Sequence, residues 1–178
     1  MARWIALLRG INVGGRNAVP MAALRALCGE LGWRGVETFI QSGNVVFDAQ
    51  GRREALEAAL EDALEKRFGF RPAVAIRSAA AWAKLLAANP FAQEAGAEPA
   101  KVMIGIAKAP PAKGAAAAIA AKGAAGERVE EAGGALWFHY PEGAGRSKIT
   151  PAAIDKAAGS PVTARNWRTA VTLGEKTG

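Results

Sequence analysis

Val36-Glu37-Thr38-Phe39-Ile40-Gln41-Ser42-Gly43-Asn44-Val45-Val46-Phe47-Asp48 decides the fold. Val36 to Gln41 reads as one strand and Asn44 to Asp48 as the next. Ser42-Gly43 between them has the composition of a tight turn, so the segment is a β-hairpin. Upstream, Arg3 to Gly10 places Trp4, Ala6 and Leu8 on one face and Ile5 and Leu7 on the other. A strand apolar on both faces belongs in the interior of a sheet. The loop Ile11–Val19 leads to Pro20, which suits the first turn of a helix. Met21, Leu24, Leu27, Cys28 and Leu31 then recur at helical spacing, and Gly32 supplies the stop.

Downstream, Arg52 to Phe68 reads as an amphipathic helix with Leu56, Leu60 and Leu64 in line. Glu57, Glu61, Asp62 and Glu65 are expected on its outer face. Ala73 to Arg77 follows as a short strand. The order βαββαβ over residues 1–77 is the split βαβ of a ferredoxin-like plait. In that topology the crossover helix makes the first two strands parallel, with the third between them.

Residues 78–178 read as a second α+β unit, expected to pack rigidly on the first. Ser78 caps a helix bearing Trp82, Leu85 and Leu86 that ends at Asn89-Pro90. Val102 to Ala107 is a strand and Pro111 to Lys122 an alanine-rich helix. Glu127–Glu131 and Ala135–Tyr140 flank Gly133-Gly134 as a hairpin. Thr150-Pro151 opens a helix closed by Gly159. Thr163 is expected to cap a last helix that carries Arg165 and Arg168 side by side.

These blocks resemble a family of uncharacterised bacterial proteins, domain of unknown function 1697. The resemblance rests on Leu7 to Gly15, Gln41 to Phe47, Asn89-Pro90-Phe91 and Thr163 to Thr169. It covers nearly the whole chain, although the family pattern often has Asn where this chain has Arg168. It implies a pair of ferredoxin-like α/β units and no established activity.

The 178 residues carry a net charge of +7, unevenly placed. Arg3, Arg9, Arg16 and Arg25 meet no acid before Glu30. From residue 143 onward, Arg146, Lys148, Lys156, Arg165, Arg168 and Lys176 face only Asp155 and Glu175. The stretch between is close to neutral. Segregated positive charge points to an anionic partner. No apolar run approaches the length that spans a bilayer. The chain enters a strand at its start without the layout of a signal peptide, and a single cysteine excludes an internal disulfide framework. The expected location is therefore cytoplasmic, with no membrane partner.

Parallel first and second strands bring the loop after the first and the turn after the second to one end of the sheet. Arg9, Asn12, Gly14, Gly15, Arg16, Gln41, Ser42 and Asn44 are the ligand-binding candidates there. Glycines at positive φ expose backbone N–H groups, and the first helix begins nearby with its positive dipole end. Arg146, Lys148, Arg165 and Asn166 are the candidates of the second unit, expected to share the same anion. The spacing fits neither the dinucleotide fingerprint nor a Walker-type loop. His139, the one histidine, lies on a strand, and Cys28 lies on an apolar helix face. Both read as structural, and no metal site is expected.

Three function classes follow. The favoured one is a small phosphate-like or nucleotide-like anion in a basic, glycine-lined pocket, with neither a reaction nor a cofactor assigned. The second is nucleic-acid binding without sequence preference. Leu7, Leu8, Val45 and Val46 on the central strands offer only Phe47 beside them for base stacking, which places this class below the first. The third is a protein-interaction module without catalysis.

Overall fold

The computed structural model describes all residues, Met1–Gly178. The chain divides into two compact units, Met1–Trp82 with Leu173–Gly178, and Ala83–Thr172. Both are ferredoxin-like α+β units.

The first unit contains β1 (Ala2–Leu8), α1 (Met21–Glu30), β2 (Arg34–Phe39), β3 (Asn44–Ala49), α2 (Arg53–Phe68) and β4 (Val74–Ser78). The sheet order is β2-β3-β1-β4. Both β1 and β2 run antiparallel to β3, so they are parallel to each other. Ile5 and Leu7 on one face of β1 and Ala6 and Leu8 on the other are all buried, as befits an interior strand. Ala6, Leu8, Val45, Phe47 and Ile76 form the helix-facing core with Leu24, Leu27, Cys28, Leu60 and Leu64. Trp33 stacks on Phe47 with ring centroids 3.9 Å apart. Burial pushes the Cys28 thiol up to about 12, the behaviour of a core cysteine. α2 ends on Gly69 at φ 78°, with Glu54 in its first turn and Lys66 and Arg67 in its last, all favourable to the helix dipole.

The structure corrects one expectation for α2. Glu57 and Glu61 are buried, only 3% and 5% exposed. Their Oε1 atoms accept from the backbone N–H groups of Ile76 (2.8 Å) and Val74 (2.9 Å). β4 is an edge strand, so every second N–H faces away from the sheet. Four helical residues rise about 6 Å and two strand residues about 6.6 Å. Two glutamates one helical turn apart therefore match two successive outward N–H groups. Periodicity alone reads an acid beside a leucine seam as solvated.

At the opposite edge, the chain's last residues join the first unit. Arg3 donates to the carbonyls of Gly35 (2.9 Å) and Lys176 (3.2 Å) and pairs with Glu37 and Asp48. Lys176 in turn pairs with Glu37 at 3.4 Å.

The second unit begins within α3 (Ala79–Ala87) and continues through α4 (Ala92–Ala97), β5 (Val102–Ala107), α5 (Ala115–Ala120), β6 (Arg128–Ala132), β7 (Ala135–His139), α6 (Pro151–Ala158) and β8 (Val162–Asn166); the first unit resumes within α7 (Trp167–Glu175). Its sheet order is β6-β7-β5-β8. β8 and α4 are not anticipated by the sequence. Thr163 is a buried residue of that strand, opposite Ile106, and does not cap a helix. The cap of α7 is Asn166, whose Oδ1 accepts from the Thr169 N–H at 2.9 Å. Arg165 is therefore on a strand and Arg168 on a helix, so they are not helical neighbours. The helix expected over Pro111–Lys122 is confined to Ala115–Ala120, after Gly114 at φ 79°. Thr150 caps α6, accepting from the Ala153 N–H at 3.1 Å, and Gly159 closes it.

Candidate functional site

The loop after β1 is a miniature hairpin. The Arg16 N–H donates to the Val13 carbonyl at 3.0 Å across Gly14 and Gly15. Both glycines have positive φ, 58° and 73°, as a type I′ turn requires. The Asn12 N–H donates to the Asn17 carbonyl at 3.0 Å, and the Asn17 side chain donates to the Gly10 carbonyl at 3.1 Å. Both asparagines are left-handed, at φ 53° and 52°. Asparagine tolerates that region because its short amide bonds to nearby backbone.

The turn between β2 and β3 spans Ile40 to Gly43. Asn44 is completely buried, and its amide donates to the Phe39 carbonyl (2.8 Å) and Ser42 Oγ (3.0 Å). Gly43, at φ 88°, accepts at its carbonyl from the Leu8 N–H at 2.8 Å. A Cβ there would lie 2.7 Å from Ile11 Cδ1 and 2.8 Å from Leu8 Cβ, so only glycine lets the turn close on the end of β1.

Asn12 fastens the two turns. Its Nδ2 donates to the Gln41 carbonyl (2.8 Å) and to the Val19 carbonyl (3.0 Å), and its Oδ1 accepts from the Val19 N–H (2.7 Å). The loop after β1 and the turn after β2 thus meet at one end of the first sheet. Around them, Arg9 is half-buried at the end of β1 and Ser42 is half-buried in its turn, whereas Gly14, Gly15, Arg16 and Gln41 are exposed. The Arg16 side chain makes no ion pair and no hydrogen bond within the chain.

In the second unit, Arg146 lies in a 3-10 turn over Ala144–Arg146, with Lys148 just beyond, and both are exposed. Arg165 is 9% exposed and donates to the Ala164 carbonyl at 2.8 Å. Desolvation pulls its guanidinium down to about 10. β7 ends with His139 opposite Val102, and β8 ends with Asn166 opposite Met103. The segment bearing Arg146 and Lys148 therefore leaves the sheet at the end where Arg165 and Asn166 lie.

Two further groupings were not singled out in the sequence. Arg128 packs over the Phe91 ring at 4.9 Å, pairs with Glu94 and lies 3.4 Å from His139 Nδ1. A guanidinium only donates, so Nδ1 is the acceptor and the ring proton sits on Nε2. Burial, with Arg128 beside it, holds His139 below its ordinary value. A neutral imidazole with its free nitrogen protonated is a poor general base. The second grouping is a cleft of about 580 Å³ between α1 and α2, with Leu27, Leu31, Ala59 and Ala63 in its lining and an Arg67–Glu30 pair at 2.7 Å on its rim. It lies along the C-terminal half of α1, whereas the glycine turns lead into the other end of that helix. No three His, Cys, Asp or Glu side chains converge as a metal-binding group. No helix is long and apolar enough to cross a membrane.

The profile of a family described as "Protein of unknown function (DUF1697)" matches residues 1–137. The chain belongs to the DUF1697 family. The structure of conserved bacterial protein SP0830 from Streptococcus pneumoniae superimposes on this DUF1697 chain with a TM-score of 0.74. The two are 22% identical, and 99% of each chain is covered. At that identity the likeness shows the shared fold. No curated protein matches this DUF1697 sequence.

Proposed function

We propose that this DUF1697 protein binds a small phosphate-like anion where the two fastened turns meet at the end of the first sheet. The observation that carries the reading is the division of labour between Asn12 and Arg16. Asn12 uses both amide N–H donors and its oxygen to hold backbone together. Arg16, on the same hairpin, keeps an exposed guanidinium without a protein partner. A loop built by four side-chain bonds, three from Asn12 and one from Asn17, around an unpaired arginine is ordered beyond what a solvated connection needs. The exposed N–H groups of Gly14 and Gly15 add donors beside that charge. Arg9 and Gln41 flank the same end, while Ser42 and Asn44 hold the second turn in shape. Arg146, Lys148, Arg165 and Asn166 remain anion-binding candidates of the second unit taken by itself. Whether a reaction follows binding is a separate property that none of these groups requires.

Nucleic-acid binding without sequence preference is the second reading, favoured by the absence of acid among residues 1–29. A paired assay separates the two, using wild type and Arg16→Ala. Inorganic phosphate and a nucleoside monophosphate should each raise the wild-type melting temperature. Arg16→Ala should lose that rise while melting at the wild-type temperature without ligand. A wild type that is unmoved by both anions but retards duplex DNA, with affinity falling steeply in salt, would replace the pocket by a phosphate-tracking surface.

A further inference from the structure

Three large apolar side chains stand out in solvent: Met1, Val13 at 64% exposure and Ile40 at 47%. Met1 is the chain end. The other two sit on the two turns that Asn12 fastens, Val13 next to Asn12 and Ile40 next to Gln41. Ile40 is also strained, with φ at 50°. A β-branched residue in the left-handed region is a real outlier, because its Cβ crowds the following carbonyl. Asn12 and Asn17 adopt the same region at little cost. At Ile40 the fold uses a poor residue for the conformation and then leaves half of its side chain in water, so neither backbone preference nor burial accounts for it. Strain of this kind gathers at ligand clamps. Val13 bridges Arg16 across the glycine turn, which puts an unpaired cation beside an exposed aliphatic group. No acid occurs before Glu30 to neutralise that end through its own segment.

From this juxtaposition we infer that the occupant is an amphiphilic anion, a phosphate monoester whose ester group is a short alkyl or aryl body. The phosphate meets Arg16 and the glycine N–H groups, and the apolar body covers Val13 and Ile40. The inference rests on the anion-binding reading above and names the class of molecule that the site takes. Because the same chemistry occurs in a lipid headgroup with its chains, the test separates a free ester from a bilayer.

The experiment is calorimetric titration of the full chain with inorganic phosphate, octyl phosphate below its micellar concentration, and octyl glucoside. Each methylene removed from water favours binding, so octyl phosphate should bind about tenfold or more tighter than inorganic phosphate. Octyl glucoside should not bind. Ile40→Asn and Val13→Ser should each weaken octyl phosphate several-fold and leave inorganic phosphate unchanged. Ile40→Asn should also raise the melting temperature, since asparagine accepts the left-handed conformation. Stability and ester binding moving in opposite directions excludes misfolding as the cause. Equal affinity for octyl phosphate and inorganic phosphate overturns this inference and leaves the anion site standing. Binding of neither overturns both. Octyl glucoside binding as tightly as octyl phosphate overturns the anionic part. Phosphatidylglycerol vesicles that sediment the chain, while octyl phosphate has no effect, overturn the free ester in favour of a lipid surface.

Discussion

The two units are one architecture built twice. In each, the third strand of the unit lies between the second and the first, and the fourth is an edge strand beside the first. The registers correspond: Ile5 lies opposite Val46 and Arg77, and Ile104 opposite Trp137 and Arg165. Both edge strands end on an arginine followed by a cap residue, Arg77-Ser78 and Arg165-Asn166. The units part company at the loop after the first strand. Both loops start alike, with Arg9 N–H on the Ala73 carbonyl and Lys108 N–H on the Pro161 carbonyl, each at 3.0 Å, but the second unit's loop is then sewn down by backbone, from Ala112 N–H to the Ala158 carbonyl at 3.0 Å. In the first it rises as a glycine hairpin held by the side chains of Asn12 and Asn17, with Val13 and Arg16 exposed. The hairpin turns differ likewise. The second unit closes β6 on β7 with Gly133-Gly134 alone, whereas the first uses the longer, strained Ile40–Gly43. Where two copies of a fold agree, the fold explains them. Where one copy carries extra, costly structure, function is the better explanation.

The largest effect should come from the edge-strand carboxylates. Glu57→Ala strands the buried Ile76 N–H and opens space beneath α2, which should cost about 2–4 kcal/mol. In the second unit Asp155 plays the corresponding part, accepting from the Val162 N–H at 2.9 Å, but from a half-buried position. Asp155→Ala should therefore cost only about 1–2 kcal/mol. Urea unfolding of both variants measures the difference, and equal losses would break the parallel between the units.

Next comes a position where the two cores are packed differently. Ala6 and Gly105 occupy the same place in their sheets, opposite Val45 and Ile76 in one and Leu136 and Ala164 in the other. A Cβ on Gly105 would sit 2.8 Å from Val162 Cγ1 and 2.9 Å from Phe138 Cε2. Gly105→Ala should destabilise by about 1–3 kcal/mol through overpacking, whereas Ala6 fits its own site. A neutral Gly105→Ala in the same urea assay would show that the second core has slack around Val162 and Phe138.

Asn12→Ala should have a smaller and more local effect, roughly 1–2 kcal/mol on the two turns. Hydrogen exchange should quicken at Asn12, Arg16 and Val19 in the first unit and stay unchanged at Lys108 and Ala112 in the second. Exchange quickening throughout the chain would instead mean that the fastening supports the whole fold.

The plait of the first unit was legible because strong local signals agree there. Two-sided apolar β1, the Ser42-Gly43 turn and the leucine line of α2 each specify one outcome. β8 was not legible because Val162-Thr163-Ala164-Arg165-Asn166 is short and polar enough to read as a helix approach, and it is a strand only because β5 pairs with it. The meeting of the two turns followed from topology, but the residue that fastens them did not stand out. Asn12 was read as a ligand group because sequence shows an amide without showing which backbone it will satisfy. The burial of Glu57 and Glu61 was invisible for the same reason: their partners are N–H groups of a strand distant in sequence.

The most direct test of the central claim is an amide chemical-shift titration of the uniformly labelled chain with inorganic phosphate. The account predicts saturable shifts concentrated at Gly14, Gly15, Arg16 and Gln41, abolished by Arg16→Ala with the rest of the spectrum unchanged. Amides at these four positions that stay still at saturating phosphate, or that shift equally in Arg16→Ala, would contradict it.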